Sequence, residues 1–193
     1  MQVYEVTVTE FGTQMWRQEG LLHRLDGPAV LCTDGSQEWR QEGLLHRLDG
    51  PAVVRANGTQ MWYQNGQYHR TDGPAYVTAA GSKFWYQHGL LHRVDGPAIV
   101  RIDGSQEWWQ EGLLHRTDGP AYATASGSKF WYQHDKLHRL DGPAVVWCDG
   151  TQEWYINDIR LSEEEFNKRI ALKPPCDGKT VTIDGVEYAL VSK

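Results

Sequence analysis

One string, repeated six times, carries most of the reactive side chains of this sequence. His-Arg-x-Asp-Gly-Pro-Ala begins at His23, His46, His69, His92, His115 and His138. An imidazole, a guanidinium and a carboxylate so close together suit three chemistries: metal ligation, acid–base catalysis and anion binding. The constant step of 23 residues weighs on each. If each unit supplies two strands about 4.8 Å apart, equivalent histidines lie about 9.5 Å apart. Zinc–nitrogen bonds are about 2.0–2.1 Å, so two histidines of the row cannot share an ion. His88 and His134 are additional but fall near predicted hairpin tips. No metal site and no cofactor are assigned. A catalytic site needs one convergent constellation set apart from its background. Here the same groups recur along a row, so no catalytic residue is assigned and the sequence reads as a non-enzyme.

Anion binding remains open. Arg24, Arg47, Arg70, Arg93, Arg116 and Arg139 are the candidate anion-binding residues. Arginine offers phosphate or carboxylate a planar fork. The ligand would be a small anionic molecule such as a cyclic nucleotide. The aspartates two residues on oppose this. The simpler expectation is structural: each Asp accepts turn N–H groups before Gly-Pro, and each Arg pairs with an Asp of its own or the next unit.

A second candidate site emerges from comparing the copies with one another. Side chains alternate across a sheet. Trp16, Trp39, Trp62, Trp85, Trp108, Trp131 and Trp154 share a face with a row of glutamines, and that face hardly changes. The opposite face varies: Met15 and Arg17, Glu38 and Arg40, Met61 and Tyr63, Phe84 and Tyr86, Glu107 and Trp109, Phe130 and Tyr132, Glu153 and Tyr155. Positions free to differ within a constant frame can encode specificity. Trp, Tyr and Arg dominate binding hot spots. Tyr63, Phe84, Tyr86, Trp109, Phe130, Tyr132 and Tyr155 are therefore the candidate protein-binding residues.

The elements that must position these rows follow from the repeat itself. A fixed short period means a solenoid or array. In residues 58–80, Gly58–Gln64 alternates like a strand, and Asn65-Gly66 signals a type I′ hairpin. The strand returns through Gln67–Arg70, bends at Asp72-Gly73-Pro74, and resumes at Ala75–Thr78. Ala75–Trp108 closely matches Ala121–Trp154, so pairs of hairpins look duplicated. The expected fold is all-β: one elongated, curved antiparallel sheet of tandem hairpins, about 60–70 Å long, held by Trp stacking and unbroken strand pairing. The divisions are an N-terminal capping strand (1–11), the array (12–157) and a C-terminal cap (158–193). Within the cap, Ser162 and Glu165 have capping-box spacing, and Leu161 with Phe166 fits a hydrophobic staple. This predicts a helix over 162–170, stopped by Pro174-Pro175. A final hairpin over 179–191 turns at Asp184-Gly185.

Composition removes several function classes. The chain has 193 residues, 19 basic, 25 acidic and a net charge of −6. That disfavours nucleic acid and an anionic membrane surface. No apolar run approaches a membrane span. The first residues lack the pattern of a secretory signal. Cys32, Cys148 and Cys176 form no disulfide framework. A soluble cytoplasmic protein is expected. Nine Trp and nine Tyr against four Phe suit half-exposed sheets and binding surfaces.

Across residues 12–157, the Asp-Gly-Ser turns (Asp34-Gly35-Ser36, Asp103-Gly104-Ser105) and the aromatic followed by Asn-Gly (Trp62, Asn65-Gly66) resemble MORN-type repeats. The variant Leu-His-Arg-x-Asp-Gly-Pro-Ala is similar to repeats of tailed-phage and large-virus proteins. The resemblance implies a twisted hairpin sheet with an interaction role and no activity. By that analogy the partner is a host protein, such as a defence enzyme, in the host cytoplasm. Apart from the resemblance, so thin a body leaves room for homodimerisation through a face or an edge. The Pro and the His-Arg pair depart from the MORN pattern, so the lipid binding of some MORN-type proteins is not carried over. Asp135 also stands where other units have a tip glycine.

Overall fold

The computed structural model describes residues 3–171, 179–183 and 186–190. Among these, fifteen strands hydrogen-bond in succession into one antiparallel sheet, with Leu21–Leu22 pairing as a side branch. The all-β array of tandem hairpins is present, but the inner units divide their pairing between two ladders.

Gln37–Glu38 pairs with Val30–Leu31 on one side and Val53–Val54 on the other. The strand breaks at Trp39. Beyond it, Arg40–Gln41 pairs with Leu44–Leu45 in a separate two-stranded ladder. The pairing is thus interrupted in the inner units, whereas Gln14–Gln18 and Gln152–Ile156 run unbroken through Trp16 and Trp154. At the tip between these strands, Glu42 has φ 51° and Gly43 φ 79°. Positive φ at both central residues is what a type I′ turn requires. Where Asp135 and Asp158 replace the tip glycine, φ stays positive at 62° and 64°. Each aspartate recovers something in exchange: Asp135 Oδ1 accepts the Leu114 N–H at 2.6 Å, and Asp158 Oδ1 accepts that of Leu137 at 2.8 Å.

A single sheet has little interior. The fully buried residues form two thin rows. Ala29, Ala52, Ala75, Ala98, Ala121 and Ala144 have no exposed surface, each following the proline of its bend. On the other face Val53, Ile99 and Val145 are buried beside them. Covering a Val or Ile contributes about 1.5–3 kcal/mol, so these rows stabilise each unit only in combination with its polar locks.

At the C-terminal end, Ile159–Leu161 is the last strand of the sheet. A helix follows at Glu163–Ala171, one residue later at each end than expected. Its capping box is formed: Glu165 N–H donates to Ser162 Oγ at 3.2 Å, and Ser162 N–H donates to Glu165 Oε2 at 2.8 Å. Phe166 is buried as the helix lies on Gln152–Ile156 and Ile159–Leu161. Lys179–Ile183 and Val186–Leu190 pair as the expected final hairpin. Pro174-Pro175, Asp184-Gly185 and Cys176 lie outside the described residues; among the described residues Cys32 and Cys148 are free thiols. Among the described residues no helix is long and apolar enough to cross a membrane.

Candidate functional site

The His-Arg-x-Asp rows are bound up in the fold. Each arginine folds back over its own bend. Its Nε donates to the aspartate two residues on at 2.7–2.9 Å. Its Nη1 donates to the proline carbonyl four residues on at 3.2–3.4 Å. Its Cζ lies 4.0–4.2 Å above the ring of the tryptophan eight residues earlier. Among the described residues the tryptophans stack under these guanidinium planes, not on one another, which corrects the expectation of Trp–Trp stacking. The guanidinium hydrogen bond holds Asp26, Asp49, Asp72, Asp95, Asp118 and Asp141 below the usual carboxylate range. The invariant glycine of the bend has a steric cause. A Cβ on Gly73 would stand 2.9 Å from Arg70 Cζ, and the other copies are equally tight.

The pairing of Arg with Asp is therefore within the unit. The carboxylate that accepts turn N–H groups is a different one: Asp34, Asp103 and Asp149 accept from Ser36, Ser105 and Thr151 at 2.8 Å.

Two further rows tie each unit to the next. Nδ1 of His23, His46, His69, His92 and His115 accepts the N–H of Glu42, Asn65, His88, Glu111 and His134 at 3.2–3.3 Å. Each donor is the positive-φ residue of the following tip. An Nδ1 accepts such a bond only while it carries no proton. At His92 the Glu111 carboxylate competes for the same atom at 2.9 Å. On the opposite edge, hydroxyls of Ser36, Thr59, Ser82, Ser105 and Ser128 accept N–H groups of the next unit at 3.0–3.2 Å. Among the described residues no three His, Cys, Asp or Glu side chains are placed to hold a metal.

Between successive bends lie shallow grooves. One of them, about 630 Å3, is lined by Arg47, Asp49, Trp62, Gln64, His69 and Arg70 among others. The candidate arginines thus line these grooves with Nε and Nη1 already engaged.

The other face holds the variable residues in one cross-strand row. The register runs Met15, Val30, Glu38, Val53, Met61, Tyr76, Phe84, Ile99, Glu107, Tyr122, Phe130, Val145, Glu153. Tyr63, Phe84, Tyr86, Trp109, Phe130, Tyr132 and Tyr155 all lie on this face and are all half-buried. They are not evenly spread. Tyr63, Tyr68 and Tyr86 form one cluster, with ring centroids 4.2 and 5.0 Å from Tyr68. Phe84 joins it through Tyr76 at 5.1 Å. Phe130 forms a second cluster with Tyr122 at 5.3 Å and Trp147 at 5.2 Å. Burial pushes the phenols of Tyr63, Tyr86 and Tyr132 above their ordinary value.

Charged stations separate the clusters. Glu38 is held by Arg40 at 2.9 Å and Arg55 at 3.2 Å. Glu107 pairs with Arg101 and accepts from Trp109 Nε1 at 2.9 Å. Glu153 accepts from Tyr155 at 2.8 Å and Trp147 at 3.2 Å, and that first bond raises the Tyr155 phenol. Tyr68, Tyr76, Tyr122 and Trp147 belong to this face although the sequence reading omits them. They come from the returning strands, and the comparison of copies covers only the first strand. A row of exposed aliphatics, Leu25, Leu48 and Val94, also crests the bends at the variable position after each arginine.

In comparison with known proteins, the chain matches no family model and no curated protein.

Proposed function

We propose that this chain is a non-enzymatic binding scaffold whose variable face grips a protein partner. The observation that carries this reading is the alternation along that face: charged at Glu38, aromatic at Tyr63–Tyr86, charged at Glu107, aromatic at Phe130–Tyr132, charged at Glu153. The backbone frame is the same at every station, so the residues differ where the fold does not require it. Aromatic centres flanked by polar groups suit a protein surface. As the MORN-type resemblance suggests, the partner is a host protein met in the host cytoplasm, and the chain a phage-type inhibitor of host defence.

Sequestering a small anion is the weaker reading. It would require Arg47 or its copies to leave an aspartate, a proline carbonyl and an indole face. The test compares wild type with a Tyr63→Ala, Tyr86→Ala, Trp109→Ala variant as bait in lysate. The reading expects a protein retained stoichiometrically by the first and lost from the second, with both baits equally folded. A ligand that survives denaturing extraction as a small anion, with no protein retained, overturns it.

A further inference from the structure

The first strand of the sheet, Glu5–Val8, pairs with Gln14–Gln18 on one side. The hydrogen-bond pattern fixes what it shows on the other. Trp16 N–H donates to the Ala29 carbonyl, and the Trp16 carbonyl accepts the His23 N–H. Trp16 therefore turns its backbone groups away from Val6, its partner in the register. In an antiparallel pair hydrogen-bonded and non-bonded positions alternate. Val6 opposite Trp16 and Val8 opposite Gln14 are the non-bonded positions. Their N–H and C=O groups point outward, to the open edge.

On one face of this edge strand the side chains are apolar and exposed: Val6 is 50% exposed, Val8 64% and nearby Phe11 78%. Proteins usually guard such an edge with Lys, Pro, a bulge or a covering element. The opposite end of the sheet is guarded in this way. Ile159–Leu161 is short, carries Arg160, and runs into a helix that lies against it.

We propose that two copies of this chain join at their Glu5–Val8 strands, making one sheet that continues through both rods. A second copy fits this edge for three reasons. Its own edge presents the same outward donors and acceptors at the same alternation. A two-fold axis at Thr7 sets Val6 of each copy opposite Val8 of the other, so valines cover valines. That register puts Glu5 opposite Thr9, so no carboxylate faces a carboxylate. Like pairs with like at this edge, so the contact is isologous and closes as a dimer rather than growing into a filament. This inference is independent of the proposed partner face.

The test uses the full chain. Because the Val6 N–H points outward, Val6→Pro leaves the ladder with Gln14–Gln18 intact and removes a donor from the open edge. Val6→Lys with Val8→Lys gives a second variant that keeps every backbone donor. Sedimentation equilibrium should show wild type at twice the 22.0 kDa chain mass and both variants at that mass. Should Val6→Pro not fold, the lysine variant alone decides. A monomeric wild type at its highest soluble concentration overturns the proposal. So does a dimer that survives the lysine variant, or a mass that keeps rising with concentration.

Discussion

The imidazole of His69 accepts the backbone N–H of His88 through Nδ1 at 3.2 Å, and the two rings stand 4.5 Å apart. His115 and His134 repeat the arrangement at 3.2 and 4.3 Å. Burial first, and the neighbouring imidazole second, hold His69 and His115 below their ordinary value of 6.5. In the unfolded chain both take up a proton as pH falls through that value, while the folded chain resists. The unfolded state then binds more protons, so stability falls with falling pH. Urea midpoints should be flat above about pH 7 and decline towards about pH 5. A His69→Gln, His115→Gln variant should show a shallower decline over the same range, because glutamine does not titrate.

Arg70 and Gly73 form one lock. Removing the guanidinium by Arg70→Ala loses its stacking on Trp62 and its bonds to Asp72 and Pro74. The expected cost is about 1–3 kcal/mol in urea unfolding. Gly73→Ala drives a methyl group into Arg70 Cζ at 2.9 Å and should cost a similar amount by expelling the same side chain. Once the arginine is absent, the methyl group has room. The double variant should thus lie well short of the sum, a coupling that a double-mutant cycle measures directly.

Ser105 lies buried where one turn meets the next, its hydroxyl accepting the Ala125 N–H at 3.0 Å. Ser105→Ala should leave that donor unpaired at a cost of about 1–2 kcal/mol. Ser105→Thr should be tolerated, since Thr59 already makes the equivalent bond to Ala79. Hydrogen exchange at Ala125 should accelerate in the alanine variant and stay slow in the threonine one.

The hairpins are legible in the chain because their signals are local. Asn65-Gly66 asks for two positive φ values, and both are found. Ser162 and Glu165 ask for a helix start and make one. The locks are less legible because their partners are scattered. Arg70 takes its three contacts from Trp62, Asp72 and Pro74. No spacing rule says that a side chain folds back over all three, and a solvent-facing row of arginines would show the same repeat. The histidine and serine rows join residues about one unit apart, as in His46 with Asn65 and Ser36 with Ala56. Such contacts exist only after the units stack. The variable face is half legible: alternation assigns Tyr63 and Tyr86 to it, but Tyr68 joins them only once the returning strand is laid across.

Glu107 and Phe84 hold equivalent positions in successive units, each lying directly opposite Ile99 in the register. Phe130, one unit further on, shows that an aromatic ring also fits beside Tyr122, the other neighbour of Glu107. Glu107→Phe should therefore convert a charged station into an aromatic one without disturbing the frame. Removing one partner of an ion pair costs little only where the other can regain water. Arg101, itself 42% exposed along its side chain, can return to water. Trp109 Nε1 loses its acceptor, so the expected cost is about 1–2 kcal/mol, read from urea unfolding. Binding should respond differently. If the alternation of charged and aromatic stations selects the partner, Glu107→Phe should weaken capture at least tenfold, or about 1.4 kcal/mol, while leaving the fold unchanged. Unchanged capture by a folded Glu107→Phe protein would show that the charged station at this position takes no part in recognition.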